Sequence, residues 1–176
     1  MNIISQNCLS GHIYKKYFNK NYKNPFIWSV IDFNSMKTLI ENWNSINFNN
    51  YELVKDKNWN FSIIIDKKVK VQYVHYKFSP KYNKLTKVNG DFYYNKIWEF
   101  IVDRYEKLKN KMLEENEKPI FCFCNGNTIY KDCIYTDKQL MELNKYNNTY
   151  VIITKEKIEV HEAADKIYNK FIKYEI

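Results

Sequence analysis

No stretch of this chain approaches the run of about 20 apolar residues that a membrane-spanning helix needs. The opening residues, Met1-Asn2-Ile3-Ile4-Ser5, have neither a basic region nor a long apolar core. No secretory signal is expected there, and the predicted compartment is the cytoplasm. Internal repeats are missing, and no boundary splits off a second core. The four cysteines, Cys8, Cys122, Cys124 and Cys133, include no second pair at zinc spacing, so no metal is expected. A cytoplasmic chain keeps its thiols reduced, which argues against disulfides. No cofactor is expected either. Arginine occurs once, at Arg104, in a chain whose other 27 basic residues are lysines.

What is present suits a folded protein. The 176 residues fit one domain, with 45% hydrophobic and 18% aromatic residues available for a core. The net charge of +8 admits nucleic acid, anionic lipid or an acidic substrate as partner. A/T-rich codons account for it more simply, because Lys, Asn, Ile, Tyr and Phe are all in excess. The lysines are also scattered, whereas nucleic-acid binders cluster charge on one face. A small-molecule, glycan or peptide substrate is therefore expected ahead of nucleic acid.

Periodicity predicts the elements. Residues 2–5 read as a strand, and residues 8–19 as a helix with Leu9, Ile13, Tyr14, Tyr17 and Phe18 on one stripe. Asn24-Pro25-Phe26 ends that segment. Asn34 or Ser35 is the expected cap of a second helix carrying Met36, Leu39, Ile40 and Trp43, followed by a polar connection from Asn42 to Asn50. Phe61–Ile65 and Val69–Phe78 read as the strands of a hairpin turning at Asp66-Lys67-Lys68. The longest helix is predicted over 91–116, then a buried strand over Pro119–Cys124. On that strand Cys122 and Cys124 share one face, and the two phenylalanines share the other. Thr136-Asp137-Lys138-Gln139 has the form of a capping box. A strand from Thr149 to Thr154 and a helix carrying Val160, Ala164, Ile167, Tyr168 and Phe171 close the chain. The alternation predicts a single α/β domain over 1–176: a mixed, mostly parallel sheet, helices on both faces and a central antiparallel hairpin.

One junction draws attention. Cys8 stands where the first strand meets the first helix, and a helix N-terminus lowers a thiol's pKa. The thiolate is the nucleophilic form, so Cys8 is a candidate catalytic residue, although a free cysteine is also often a small core hydrophobe. His75, near the end of a predicted strand, is one candidate base. His12, one helical turn after Cys8, is another and is also a candidate substrate contact. Asp91 or Asn125 can orient an imidazole, while the first also suits a helix cap and the second a turn. Gln6 and Asn7 are candidate oxyanion donors with the Cys8 N–H. Gly11, inside a predicted helix, is explained by close packing, by backbone approach to a ligand, or by chance. The single Arg104 offers a fixed fork for a carboxylate or phosphate, which lysine cannot provide.

The pattern Ile4-Ser5-x-Asn7-Cys8-x-x-Gly11-x-Ile13-Tyr14, followed by Tyr22-x-Asn24-Pro25-Phe26, resembles a bacterial family of unknown function labelled exopolysaccharide-biosynthesis proteins. Val74-His75-Tyr76 and the Trp98-to-Arg104 helix fit it. Ser5-x-Asn7-Cys8, Pro25-Phe26-x-Trp28, His75 and Arg104-Tyr105-Glu106-Lys107-Leu108 also resemble a family labelled papain-like cysteine peptidases. The chain departs from the first pattern at Leu9-Ser10 and from the second at Ile27 and Tyr76. The resemblance implies a cysteine-dependent hydrolase or acyltransferase linked to bacterial surface polysaccharide. On that reading Cys8 would attack, His75 would carry the proton, Asp91 or Asn125 would orient it, and Arg104 would anchor an acidic group. Two other readings stand beside it. One is a non-catalytic module binding a glycan or sugar phosphate, and the other is a basic nucleic-acid binder.

Overall fold

The computed structural model describes residues 1–55, 61–73, 90–125, 133–153 and 158–174. The elements run β1 (Asn2–Ser5), α1 (Leu9–Tyr17), β2 (Val30–Ile31), α2 (Phe33–Asn42), β3 (Tyr51–Lys55), β4 (Phe61–Ile65) and β5 (Val69–Tyr73). They continue with α3 (Gly90–Glu115), β6 (Pro119–Cys124), α4 (Asp137–Leu143), β7 (Thr149–Ile152) and α5 (Val160–Lys170). The fold is mixed α/β, with five α-helices and two sheets among the described residues. None of those helices is long and apolar enough to cross a membrane.

The sheet architecture differs from the expected one. Instead of a single mostly parallel sheet, there is a parallel three-stranded sheet, β1-β6-β7, and a larger antiparallel sheet, β2-β5-β4-β3. In the parallel sheet Asn2 to Ser5 align with Pro119 to Cys122, and Phe121 to Cys124 align with Thr149 to Ile152. The hairpin strands β4 and β5 take β3 and β2 as neighbours and stay out of the parallel sheet. The two sheets meet where the Ile31 N–H of β2 donates to the Gln6 carbonyl just past β1, at 3.0 Å.

β6 divides the hydrophobic interior. Phe121 and Phe123 pack with the antiparallel sheet and with Ile97, Ile101 and Tyr105 of α3. Cys122 and Cys124 pack instead with Leu9 and Ile13 of α1 and Ala163, Ala164 and Ile167 of α5. The alternation read from the sequence thus separates two clusters, and both cysteines serve as small core hydrophobes.

Local chemistry explains most boundaries. The β4–β5 turn has left-handed backbone at Asp66 (φ 51°) and Lys67 (φ 56°), with Lys68 N–H donating to the Ile65 carbonyl. Those are the features of a type I′ turn, whose twist suits a tight hairpin. The cap of α2 is Asp32, not Asn34 or Ser35. Its carboxylate accepts from both the N–H and the hydroxyl of Ser35, so the helix starts two or three residues earlier than predicted. The capping box at Thr136 and Gln139 forms in full. Buried tyrosines tie elements together. Tyr14 accepts from the Ile3 N–H and donates to the Met1 carbonyl, closing the outer edge of β1. Tyr135 donates to the Ile31 carbonyl, and Tyr73 to that of Pro25.

Candidate functional site

The strand-to-helix junction is built as a capped corner. Cys8 is the N-cap residue of α1, but its side chain caps nothing. Asn7 Oδ1 accepts from the Leu9 N–H at 3.0 Å, and Ser5 Oγ accepts from the Ser10 N–H at 2.8 Å. The first amides of the helix are therefore already used by neighbours of the cysteine. The residue is only 8% exposed. Burial, reinforced by the nearby Cys133 sulfur and only partly offset by a backbone hydrogen bond, pushes the Cys8 thiol up to about 12. The sequence predicts a lowered value; desolvation outweighs the helix terminus here because the amides that stabilise a thiolate are spent on Asn7 and Ser5.

Gln6 is buried beside this corner. Its Nε2 donates to the Cys124 carbonyl at 2.8 Å, while its Oε1 has no partner among the described residues. The donor proposed for an oxyanion is thus committed to β6, and an acceptor is left over. Asn125, directly after β6, is half-buried and donates from Nδ2 to Asp137 Oδ1 of α4 at 3.2 Å. His75 lies outside the described residues. Asp91 falls in the first turn of α3, its side chain likewise outside them. His12 packs edge-to-face against Trp28, with centroids 5.1 Å apart. It lines a cleft of about 310 Å³ with Lys15, Lys16, His161 and Asp165. His161 is exposed, as the sequence suggests. No group of three or more His, Cys, Asp or Glu side chains that could hold a metal exists among the described residues.

Gly11 has a definite cause. A Cβ there would lie 2.6–2.9 Å from three atoms of the Trp28 indole. Trp28 has φ 61°, a conformation that costs a bulky residue of order 1–3 kcal/mol. Its Nε1 donates to the Tyr22 hydroxyl at 3.3 Å. The indole, not a ligand, occupies the space above Gly11.

A larger concavity than the His12 cleft lies elsewhere, between α3 and the turn after α1. Its volume is about 750 Å³, within the usual range for a small-molecule site. Arg104 is in its wall, one turn beyond Phe100 and one turn before Lys107. The guanidinium stands over the Tyr22 ring, 5.6 Å from its centroid. Its Nε and Nη2 are both buried, and neither has a hydrogen-bond partner among the described residues. These two nitrogens form the side edge of the guanidinium, the edge that grips a carboxylate or phosphate through two parallel N–H···O bonds. Lys20, Lys107 and Lys111 add positive charge around it, against Asp103 and Glu114. The lone arginine signals this site in the sequence. Tyr22, Lys20 and Phe100 carry no such signal, because only folding lays the turn at 20–22 against α3.

Comparisons with family models, with curated proteins and with solved structures give no match to this chain.

Proposed function

We propose that the protein binds an acidic small molecule or glycan, with the acidic group held by Arg104 in the groove between α3 and the turn at 20–22. The carrying observation is the pair of buried, unpartnered donors on one edge of that guanidinium. Leaving buried donors unpaired costs about 1–3 kcal/mol each, and more for a charged group, so an oxyanion that pairs with them recovers a substantial free energy. Both nitrogens are shielded from water in the unliganded groove. Binding therefore involves an outward turn of the guanidinium, with Tyr22 as the surface on which it pivots. Nitrogen-15 spectra of the Arg104 Nε–H test this during titration with inorganic phosphate and with glucuronate. The expected result is a saturable shift of that signal, and at least tenfold weaker binding in Arg104→Lys. An unmoved signal with both anions, or undiminished binding in Arg104→Lys, overturns the reading.

A second reading, a cysteine-dependent hydrolase or acyltransferase of papain-like type, is favoured by one observation. β1 and β6 run parallel, with Ser5 opposite Cys122 and β6 two residues longer, so Gln6, Cys8 and Asn125 follow the carboxyl ends of neighbouring strands. Open α/β sheets commonly carry their sites at that end. With the thiol protonated, attack on a carbonyl needs a base that takes the proton as the carbon–sulfur bond forms, the role assigned to His75. Acylation by p-nitrophenyl acetate tests it. One equivalent of nitrophenolate released in a burst, lost in both Cys8→Ala and His75→Ala, supports the reading. Equal release from Cys8→Ala overturns it.

A further inference from the structure

We infer that the ligand of the Arg104 groove is a phosphomonoester carried on a ring, with the phosphate on Arg104 and the ring against Phe100. This rests on the anion-binding reading above. Phe100 is a large apolar side chain left 42% exposed, and it lines the same groove. It precedes Arg104 by four residues, so both lie on one helix face, about 6 Å apart along the axis. The wall is thus apolar at one end and cationic beyond it. A bare anion uses only the second part. A ring whose attached phosphate sits about 6 Å from its centre uses both.

The distribution of charge separates phosphate from carboxylate. The side edge of one guanidinium already matches a monoanionic carboxylate. Here Lys20 and Lys107 also line the groove, both exposed and neither in an ion pair among the described residues. Lys111 is held in place by donating to Asn21 Oδ1 at 2.8 Å. That supply of positive charge suits a dianion with three free oxygens. Asp103 and Glu114 in the same wall oppose a long polyanion such as a nucleic-acid strand. From Phe100 to Lys111 the helix advances about 16 Å, room for one phosphorylated ring with its substituents. The Asn21 Nδ2 and the exposed Asn110 amide are available to ring hydroxyls.

The test compares inorganic phosphate, glucose 6-phosphate, adenosine 5′-monophosphate and free glucose by calorimetric titration of the full chain. At least one of the two esters should bind tenfold or more tightly than inorganic phosphate, with free glucose weaker than both. The tighter ester identifies the ring as sugar or base. Phe100→Ala, at an exposed position, should remove the ester's advantage while leaving inorganic phosphate unchanged, and Phe100→Tyr should restore it. Equal binding of phosphate and both esters, or an undiminished ester advantage in Phe100→Ala, overturns this inference and leaves the groove an anion site. If no anion binds, and Arg104→Lys behaves as the parent, the anion-binding reading itself falls.

Discussion

Replacing Gly11 by alanine drives a methyl group into the face of the Trp28 indole. The added carbon would sit 2.6, 2.7 and 2.9 Å from Cδ2, Cε2 and Cε3, where a comfortable carbon contact is about 3.5 Å or more. The indole must therefore withdraw by about 1 Å. Three constraints resist this: the left-handed backbone of Trp28, its hydrogen bond to Tyr22 and its edge-to-face contact with His12. Overpacking of this kind costs about 1–3 kcal/mol, while alanine gains up to about 1 kcal/mol over glycine in a helix. The balance centres on a net loss of about 1 kcal/mol (range about 0–2), a Tm lower by about 2–4 °C at this chain length. Thermal melts followed by circular dichroism measure it, and the Trp28 indole N–H resonance should move. A double-mutant cycle isolates the cause. Trp28→Gly suits φ 61° and removes the ring, so in that background Gly11→Ala should be neutral or stabilising. If Gly11→Ala alone melts at or above the parent temperature, the close contact is not what requires glycine here.

The other expectations are briefer. Because burial raises the Cys8 thiol to about 12, its contribution to stability is complete below about pH 9 and is lost as pH rises from there towards 12. Between pH 8 and 10 the parent should lose about 1–2 kcal/mol more than Cys8→Ala in urea unfolding, and iodoacetamide should label folded Cys8 far more slowly than the unfolded chain at pH 8; rapid labelling at neutral pH contradicts the assignment. Thr136→Ala removes the oxygen that accepts from the Gln139 N–H, while the backbone N–H of residue 136 still donates to Gln139 Oε1, and should cost about 1 kcal/mol; Thr136→Ser should keep most of the stability, as read by denaturant midpoints. Asn24 is fully buried, donates to Asn2 Oδ1 and the Ile3 carbonyl, and accepts from the Phe26 N–H. Asn24→Ala strands those groups and should cost about 2–3 kcal/mol; a loss below 0.5 kcal/mol (about a 2 °C shift) would show that they find other partners.

Much of the fold was legible because its signals are local. The stripe of α1, the long helix before Pro119, the capping box at Thr136 and the hairpin at Asp66-Lys67 all depend on residues within one or two turns of each other. The edge strand Tyr51–Lys55 was not read, because only Tyr51 and Leu53 mark its inner face and it pairs on one side alone. The α2 cap is hidden for a related reason: Asp32 belongs to the chain leaving β2, so its role depends on where that strand stops. Of the candidate site, the lone Arg104 was visible. Its neighbours in the groove were not, since Tyr22 and Phe100 are far apart in sequence and unremarkable by type.

Residue order by itself determined the strongly periodic elements and their stops: where α1, α3 and the β4–β5 hairpin run, and that Cys122 and Cys124 turn one way on β6 while Phe121 and Phe123 turn the other. The tertiary structure alone decided which strands became neighbours, how far the Cys8 sulfur was withdrawn from water, and what faced the edge of the Arg104 guanidinium. The physical reason is range. Backbone dihedrals and caps are set by adjacent residues, whereas desolvation and the presence or absence of a hydrogen-bond partner are set by groups that only folding brings near, as Cys133 is brought to Cys8 and the turn at 20–22 to α3.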